Sequence, residues 1–299
     1  MQDSSFRSLL KVLAVIFVFA AIGVGFVFLD KYVKRVAPAW PDNIQVELVN
    51  PPDWINASLR KKITAVAKRS WKKEDVKLEE DAVRLALRKE SLGLPQVIQS
   101  NLERDVAWLK EIRVRTTHDR IFIEADYRKP IALVKRGLQR FYVDAELVAL
   151  DFVPMSNLPI VNVRGLAVIT SPSGPQPGET LQQEDLAAAV AILVRLDQMD
   201  KLVTPDKPLL FEIDTIDVSN FKGRQSGRLS HINLYTKDNT AIIWGAEIGA
   251  WAQHLEAKDE EKLAKLYNYY KEYGSLTGGA KYIDLRTPQG KVPLPIDKY

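Results

Sequence analysis

Ionisable side chains at short spacing are the first place to look for chemistry in this chain. Asp214 with Asp217, and Glu212 with Asp214, form acidic pairs that could supply general acid and base catalysis, for example on a glycosidic bond. Glu212 and Asp214, however, alternate along a stretch with the pattern of a β-strand. Polar residues alternate in this way on the solvent-facing side of a sheet. The pairs are therefore more typical of an exposed sheet face than of a catalytic site.

The sequence likewise gives little indication of a metal site or of a catalytic nucleophile. The chain has three histidines, His118, His231 and His254, and no cysteine. None of the histidines has a second ligand at metal-binding spacing, and thiolate sites are excluded. Phosphate-binding loops, nucleophile elbows and zinc-protease motifs are not found. The sequence predicts no catalytic residue, no metal, no cofactor and no small-molecule substrate.

Positive charge is concentrated in one predicted helix. Arg60–Lys62, Lys68–Arg69 and Lys72–Lys73 lie close together, although the whole chain has a formal net charge of only +4. A solvated helix face is one interpretation. Attraction to anionic lipid headgroups is the other, because basic residues next to a membrane gain on the order of 1 kcal/mol each. Aromatic residues are scattered and no nucleic-acid-binding signature is found, so a nucleic-acid partner is not expected.

The longest apolar run, Val12–Leu29, lies close to the N-terminus. At about 1.5 Å per residue it would extend roughly 27 Å as a helix, nearly the thickness of the bilayer hydrocarbon. A cleaved secretory signal is the alternative, but the run is longer than a usual signal core and no small-x-small site follows. We predict a tail at residues 1–11 and a transmembrane helix at 12–29. Lys and Arg flank both ends and leave the orientation open.

Residues 44–128 have the pattern of a small sheet covered by helices. Alternation around Ile44–Leu48 predicts a strand, and Asn56 is a predicted helix N-cap. Apolar residues at helical spacing follow it: Leu59, Ile63, Val66 and Ala67. Two further helices are predicted at Asp81–Lys89 and from Gln96 to Val106, and a hairpin covers Ile112–Arg115 and Ile121–Ala125.

Residues 129–299 are predicted to be rich in strands, with two packed helices. Thr180 and Gln183 predict a capping box for the first helix, and Glu261 with Lys265 an i,i+4 pair in the second. The predicted strands are 131–135, 140–143, 147–152, 160–163, 209–218, 229–236, 240–244, 281–286 and 291–295. The fold class is thus predicted as α+β: an N-terminal transmembrane helix, a small three-stranded domain and a larger β-rich domain.

This layout resembles that of the bacterial FtsQ/DivIB cell-division proteins, which have one N-terminal anchor, a POTRA domain and a β-domain. The stretch Trp108–Arg115, followed by Lys129–Ala132, is similar to the family's "W-V-x-x-V-x-V-R … R-x-P-V-A". Tyr282–Arg286, which reads Y-I-D-L-R, resembles its C-terminal motif most specifically. The family's W-P-D turn is Thr117-His118-Asp119 here, and residues 71–95 resemble an insertion, so a divergent member is indicated.

The resemblance implies a non-catalytic, single-pass scaffold of septal cell-wall synthesis. It would lie in the cell (inner) membrane with its short N-terminal tail in the cytoplasm and its body periplasmic or otherwise extracytoplasmic, enriched at the septum. Its partners would be bitopic division proteins of the FtsB/FtsL type and, through its anchor, the lipid bilayer. A partner strand would add to the C-terminal edge of the β-domain. The residues implied are Tyr282, Arg286, Thr287, Gln289, Gly290, Lys291 and Val292.

Other functions remain open. Pro288, Pro293 and Pro295 cannot donate a backbone hydrogen bond, and prolines at an edge can equally serve to prevent pairing. A POTRA-bearing transport or secretion accessory that handles extended polypeptides is the alternative function. An envelope hydrolase that uses Asp214 and Asp217 ranks last.

Overall fold

The computed structural model describes residues 44–71, 81–117, 119–137, 139–167, 174–277 and 280–288. Its helices are α1 (Ala57–Trp71), α2 (Asp81–Asp105), α3 (Glu184–Val203) and α4 (Asp259–Tyr273), with 3-10 turns at Leu209–Glu212, Phe221–Gly223 and Trp251–His254. Its strands are β1 (Gln45–Leu48), β2 (Leu109–Thr116), β3 (Arg120–Tyr127), β4 (Pro130–Arg136), β5 (Gln139–Asp144), β6 (Ala149–Asp151), β7 (Val161–Arg164), β8 (Ile213–Asp217), β9 (Ile232–Thr236), β10 (Ala241–Gly245) and β11 (Tyr282–Asp284).

The structure is α+β, with a three-stranded and an eight-stranded sheet. Among the described residues, no helix is long and apolar enough to cross a membrane. The predicted fold class counted such a helix among its elements and is wrong in that respect. The long helix α3 shows the physical reason, since it carries Glu184, Asp185, Arg195, Asp197, Asp200 and Lys201. The run predicted to span the membrane, Val12–Leu29, lies outside the described residues, as does the predicted strand at 291–295.

The N-terminal sheet has the predicted order of strand, helices and hairpin, with two helices where three were predicted. Its strand order is β1-β3-β2. The Asn56 side chain caps α1 by accepting a hydrogen bond from the Leu59 N–H at 2.9 Å, as predicted. The buried residues of α1 are also the predicted ones: Leu59, Ile63, Val66 and Ala67. The two predicted helices after α1 form α2, which is interrupted at Gly93 (φ 71°), two residues before Pro95.

Two compact units can be distinguished by the contacts within each. The small unit includes Ile44, Gln45 and the turn around Thr117–Arg120. In it, the Thr117 N–H donates to the Arg120 carbonyl at 2.9 Å and so closes the hairpin turn. The large unit holds residues 46–116 and the chain from Ile121 onward. The domain boundary at residues 128/129 stays a prediction.

The C-terminal sheet is a mixed one of eight strands, in the order β11-β10-β9-β8-β7-β4-β5-β6. The pairs β4–β7, β7–β8 and β10–β11 are parallel, and the other neighbours are antiparallel. Apolar faces of α3 and α4 pack with these strands into one core that includes Leu193, Ile216, Trp244 and Leu266. Burial of this apolar surface is the main force that holds the helices on the sheet.

Side chains from the N-terminal sheet contact the start of the C-terminal one within the large unit. Arg128 donates to Asp144 at 2.7 Å and to Glu146 at 2.6 Å. Burial lowers the pKa of Arg128, but these two carboxylates outweigh it and the net pKa is raised. Trp108 packs edge-on against Tyr142, with ring centroids 5.9 Å apart. Charge pairing and aromatic packing therefore both tie β5 to the hairpin β2–β3.

Three local predictions for the second region are wrong. Thr180 does not cap α3, which begins at Glu184 after an N-cap at Gln183 that makes no side-chain bond. Thr180 instead forms an isolated antiparallel β-bridge with Val148, just before β6. The predicted strand at 209–218 begins only at Ile213, after a 3-10 turn. Lys265 does not pair with Glu261 but donates to a carbonyl near the C-terminal end, at Thr287.

Candidate partner-binding edge

β11 is the terminal strand of the eight-stranded sheet, and its one described neighbour is β10. Tyr282 lies opposite Ala241 and Asp284 opposite Ile243 in a parallel register. The Leu285 N–H donates to the Ile243 carbonyl at 3.0 Å, and the Lys281 carbonyl accepts from the Ala241 N–H at 3.4 Å. Since main-chain groups of a strand alternate between its two sides, those of Tyr282 and Asp284 point away from β10. They form an edge to which a further strand can bond.

Side chains of β11 divide between the core and the edge. Ile283 is fully buried, whereas Tyr282 is 39% exposed. An exposed tyrosine offers a large rigid apolar ring with a polar end, a residue type favoured at the centres of protein interfaces. β11 therefore presents both main-chain hydrogen-bonding groups and one anchor side chain.

A charged clip ends the strand at Asp284. The Arg286 guanidinium donates to the Asp284 carboxylate at 2.7 and 3.0 Å, and the Arg286 N–H donates to it at 3.0 Å. Burial would raise the pKa of the Asp284 carboxyl, but the hydrogen bonds and charge of Arg286 outweigh burial and lower the pKa. The Arg286 N–H is therefore already hydrogen-bonded within the turn. The main chain that a partner strand can reach is that of Tyr282–Asp284.

The chain after the clip is held by α4 and by the segment that precedes it. The Arg286 carbonyl accepts from the Ala257 N–H at 2.6 Å. The Thr287 carbonyl accepts from the Lys265 ammonium. These carbonyls are occupied, so they differ from the outward main-chain groups of β11.

A buried ion pair supports the segment that holds this edge. The Lys262 side chain is fully buried and its ammonium lies 2.6 Å from the Glu256 carboxylate. Glu256 also accepts from the Ala246 N–H at 3.0 Å. The ammonium lies 5.4 Å from the centre of the Trp244 ring, a cation–π distance. A Cβ on Gly245 would lie 2.1 Å from a Glu256 oxygen, so the pair requires glycine there.

Sequence reasoning missed Lys262, although a signal for it exists. Lys262 precedes Leu266 by four residues and Tyr270 by eight, which puts it on the buried stripe of α4. A lysine on an apolar stripe requires a partner for its charge once the stripe is buried. Helical spacing alone therefore indicates that Lys262 is buried and charge-paired.

The predicted partner-binding residues fall into two groups. Tyr282, Arg286 and Thr287 lie at the edge and directly after it, as described above. The other four lie outside the described residues: Gln289, Gly290, Lys291 and Val292. Among the described residues, those with outward main-chain groups are Tyr282 and Asp284, which lie within the Y-I-D-L-R motif and not after it.

The opposite edge of the same sheet, at β6, is covered in part. Outside β6, the Ala149 N–H donates to the Glu179 carbonyl at 2.8 Å, and the Ala149 carbonyl accepts from the Gly178 N–H at 2.7 Å. At the other end of β6, the Asp151 carboxylate accepts from the Trp108 indole at 3.1 Å and lies 2.5 Å from the Lys62 ammonium. The outward main chain of Ala149 is therefore bonded and Asp151 is held through its side chain, whereas no described main chain bonds to the outer side of β11.

The acidic residues considered for catalysis have structural partners. Asp217 binds Arg164 at 2.9 Å and caps the Ser219 N–H at 2.8 Å. Glu212 accepts from the Leu276 N–H at 2.6 Å. Asp214 accepts from the Thr215 hydroxyl at 2.6 Å. Each of these contacts is one expected of a carboxylate that stabilises a turn or a strand end.

The histidines His231 and His254 meet in three dimensions, which the sequence did not indicate. Their rings are perpendicular, with centroids 4.6 Å apart. Burial lowers the pKa of His231, and the nearby His254 lowers it further, against the opposing charges of Glu247 and Glu256. Within the described ranges, no group of three or more His, Cys, Asp or Glu side chains is arranged to hold a metal ion.

Comparison with known proteins adds no relative. The chain matches no protein-family model and no curated protein sequence.

Proposed function

We propose that this protein is a non-catalytic scaffold that binds a partner by β-strand addition along the outer side of β11. The observation that carries this proposal is the contrast between the covered edge at β6 and the outward main-chain groups of Tyr282 and Asp284. Main-chain pairing provides affinity in this mode, and side chains beside the strand provide specificity. Tyr282 is the exposed side chain in position to do so.

The proposed setting is the septal cell-wall machinery. It rests on the resemblance of Trp108–Arg115 and of Tyr282–Arg286 to FtsQ/DivIB motifs. Bitopic division proteins of the FtsB/FtsL type are the proposed partners, and the proposed location of the body is outside the cytoplasm at the cell membrane. A fluorescent fusion concentrated at mid-cell would support this setting, and uniform labelling of the envelope would contradict it.

Proline substitution on β11 tests strand addition directly. Tyr282→Pro removes an N–H that points away from β10, so the internal sheet keeps its hydrogen bonds. We expect partner binding to fall about tenfold or more, since one bond is lost and the proline ring obstructs pairing. Binding of the full chain to FtsB- and FtsL-type proteins of the same organism would be measured in detergent.

Two control variants make the result specific. Tyr282→Ala keeps the N–H and removes the ring, so it separates the main-chain contribution from that of the side chain. Leu202→Ala truncates an exposed side chain on α3, 80% accessible, and should leave binding unchanged. Full binding by Tyr282→Pro, in a protein of unchanged thermal stability, would refute strand addition at this edge.

Handling of extended polypeptides in transport is the second candidate, because an open edge can pair with many main chains. A client screen separates the two functions. Binding of many unfolded chains with similar affinity favours transport, whereas one preferred partner favours the scaffold. If Asp214→Asn or Asp217→Asn abolished an activity on cell-wall fragments, both proposals would give way to a hydrolase.

A further inference from the structure

The outward half of α1 carries only positive charge. The helix contains no Asp or Glu, and its buried stripe includes Leu59 and Ile63. At about 100° per residue, Lys61 and Lys68 fall within roughly 20° of each other and nearly opposite that stripe. Arg60 and Arg69 flank them on either side. These four residues, Arg60, Lys61, Lys68 and Arg69, are called the α1 basic face below.

The charges of the α1 basic face are available for an external partner. No acidic side chain of a described residue forms an ion pair with any of the four. Among ion pairs between described residues, the lysine of α1 that takes part is Lys62, whose ammonium lies 2.5 Å from Asp151. Asp105 is near enough for the charge of Arg69 to lower its pKa, but its main partner is Arg104, at 2.7 Å.

The shape and composition of the face indicate what kind of partner it fits. Between Lys61 and Lys68 lie the half-buried Thr64 and the exposed Ala65, which are small, so the face can lie flat against a surface. No aromatic side chain stands between the cations, which disfavours base stacking on single-stranded nucleic acid. The chain also carries the uncharged apolar run Val12–Leu29 ahead of α1, a composition compatible with lipid.

We propose that the α1 basic face binds anionic lipid headgroups at a membrane surface. Each basic side chain close to such a surface strengthens association on the order of fivefold, and salt weakens it. The contact would hold the N-terminal sheet against the membrane. It does not depend on strand addition at β11, which lies in the other sheet.

A fluorescent probe on the helix itself provides the test. The chain has no cysteine, so Ala65→Cys creates a single labelling site within the face. The labelled full chain is added to vesicles of phosphatidylcholine, with or without roughly one third phosphatidylglycerol. We expect a polarity-sensitive probe to shift its emission only with the anionic vesicles, and the shift to be reversed by added salt.

Charge reversal with a matched control makes the test quantitative. Lys61→Glu/Lys68→Glu should raise the anionic lipid concentration needed for half of the shift about twentyfold or more. Arg228→Glu/Lys237→Glu changes the net charge equally at exposed sites in the loops before and after β9 and should leave the midpoint unchanged. Tyr282→Pro should also leave it unchanged, which separates this inference from the proposed scaffold function.

Three outcomes would overturn the inference. An equal shift with neutral vesicles would mean that apolar contact, not charge, moves the probe. The absence of a shift with anionic vesicles would remove the lipid partner. A larger shift with a DNA oligonucleotide or with polyglutamate at the same charge concentration would assign the face to a polyanion instead.

Discussion

The two ends of the eight-stranded sheet are built in different ways. At β6, the main chain of Gly178–Glu179 bonds to the outer side of Ala149, and Lys62 and Trp108 engage Asp151. At β11, no described residue covers the outward main-chain groups of Tyr282 and Asp284. Support comes from behind, through the buried pair Lys262–Glu256 and the bond from Ala257 to Arg286.

This difference shows how an edge can stay available without losing its order. An uncovered three-residue strand has few bonds of its own and is expected to fray. The β11 edge is instead fixed at its C-terminal end by contacts that leave its outer side open. Variants that weaken the support should therefore affect β11, and variants at the β5–β6 turn should affect β6.

The largest expected effect is at Gly245, where the support has no spare room. Gly245→Ala places a Cβ 2.1 Å from Glu256 at a backbone φ of 98°, so the carboxylate must move away from Lys262. We expect the free energy of unfolding to fall by about 3–5 kcal/mol, as for a broken buried ion pair. Denaturant titration of Gly245→Ala measures this loss, and Gly249→Ala is the control variant.

Gly249 is a matched control because its φ is also positive, at 86°, but no atom lies within 4 Å of an added Cβ. Backbone strain alone should cost Gly249→Ala about 1–2 kcal/mol. Equal losses for the two glycine variants would mean that Glu256 is not held as tightly as the structure indicates.

Removing the buried cation should come next in size. Lys262→Met leaves the Glu256 carboxylate without its ammonium, and we expect a loss of about 3 kcal/mol. The double variant Lys262→Met/Glu256→Gln removes both charges and keeps an acceptor for the Ala246 N–H, so it should recover much of that loss. A double variant with a lower free energy of unfolding than Lys262→Met would contradict the stabilising role of the ion pair.

A smaller effect is expected at the β5–β6 turn. The buried Asp144 carboxylate accepts from Arg128 at 2.7 Å and from the Glu146 and Val148 N–H groups at 2.9 and 2.8 Å. Asp144→Ala should cost about 2 kcal/mol, because buried donors lose their acceptor. Asp144→Asn keeps an oxygen for the two N–H groups and should cost less.

Hydrogen exchange localises this effect. In Asp144→Ala, the Ala149 amide of β6 should exchange faster, whereas the Leu285 amide beside β11 should not change. Faster exchange at both amides would show that the two edges are not independent.

The smallest expected effect is a pH dependence on the β11 side. The pKa of His231 is lowered from its ordinary 6.5, first by burial and then by His254. The folded state therefore prefers the neutral ring, and its stability is complete above the unfolded pKa and decreases as pH falls through the folded pKa. Between pH 7 and pH 5 the free energy of unfolding should decrease.

His254→Gln removes the neighbouring charge and should reduce that decrease, and His231→Gln should reduce it further. Carboxyl groups with lowered pKa values, such as Asp284, titrate below this window and do not contribute to the difference. Identical pH profiles for the three proteins, measured by chemical denaturation, would exclude the histidine pair as the cause.

Local periodicity was enough to predict much of the fold. The Asn56 cap, the buried stripe of α1 and the order of strand, helices and hairpin in the N-terminal sheet all follow from spacings of a few residues. Such patterns are readable because an amphipathic helix or an alternating strand must bury one side whatever its neighbours are. The strand predicted at 281–286 is also present, in shorter form, as β11 (Tyr282–Asp284).

Tertiary structure decided which residues became partners. Thr180 forms a β-bridge with Val148 instead of capping α3, Lys265 binds the Thr287 carbonyl instead of Glu261, and Lys262 pairs with Glu256 in the core. The first two choices depend on which segments lie next to each other in the fold, since the partners are far apart in sequence, whereas Lys262 and Glu256 are close in sequence but come together only when α4 packs. Tertiary structure also decided that the edge at β11 is open and the edge at β6 is covered. Sequence spacing does not show which side of a strand is left without a neighbour.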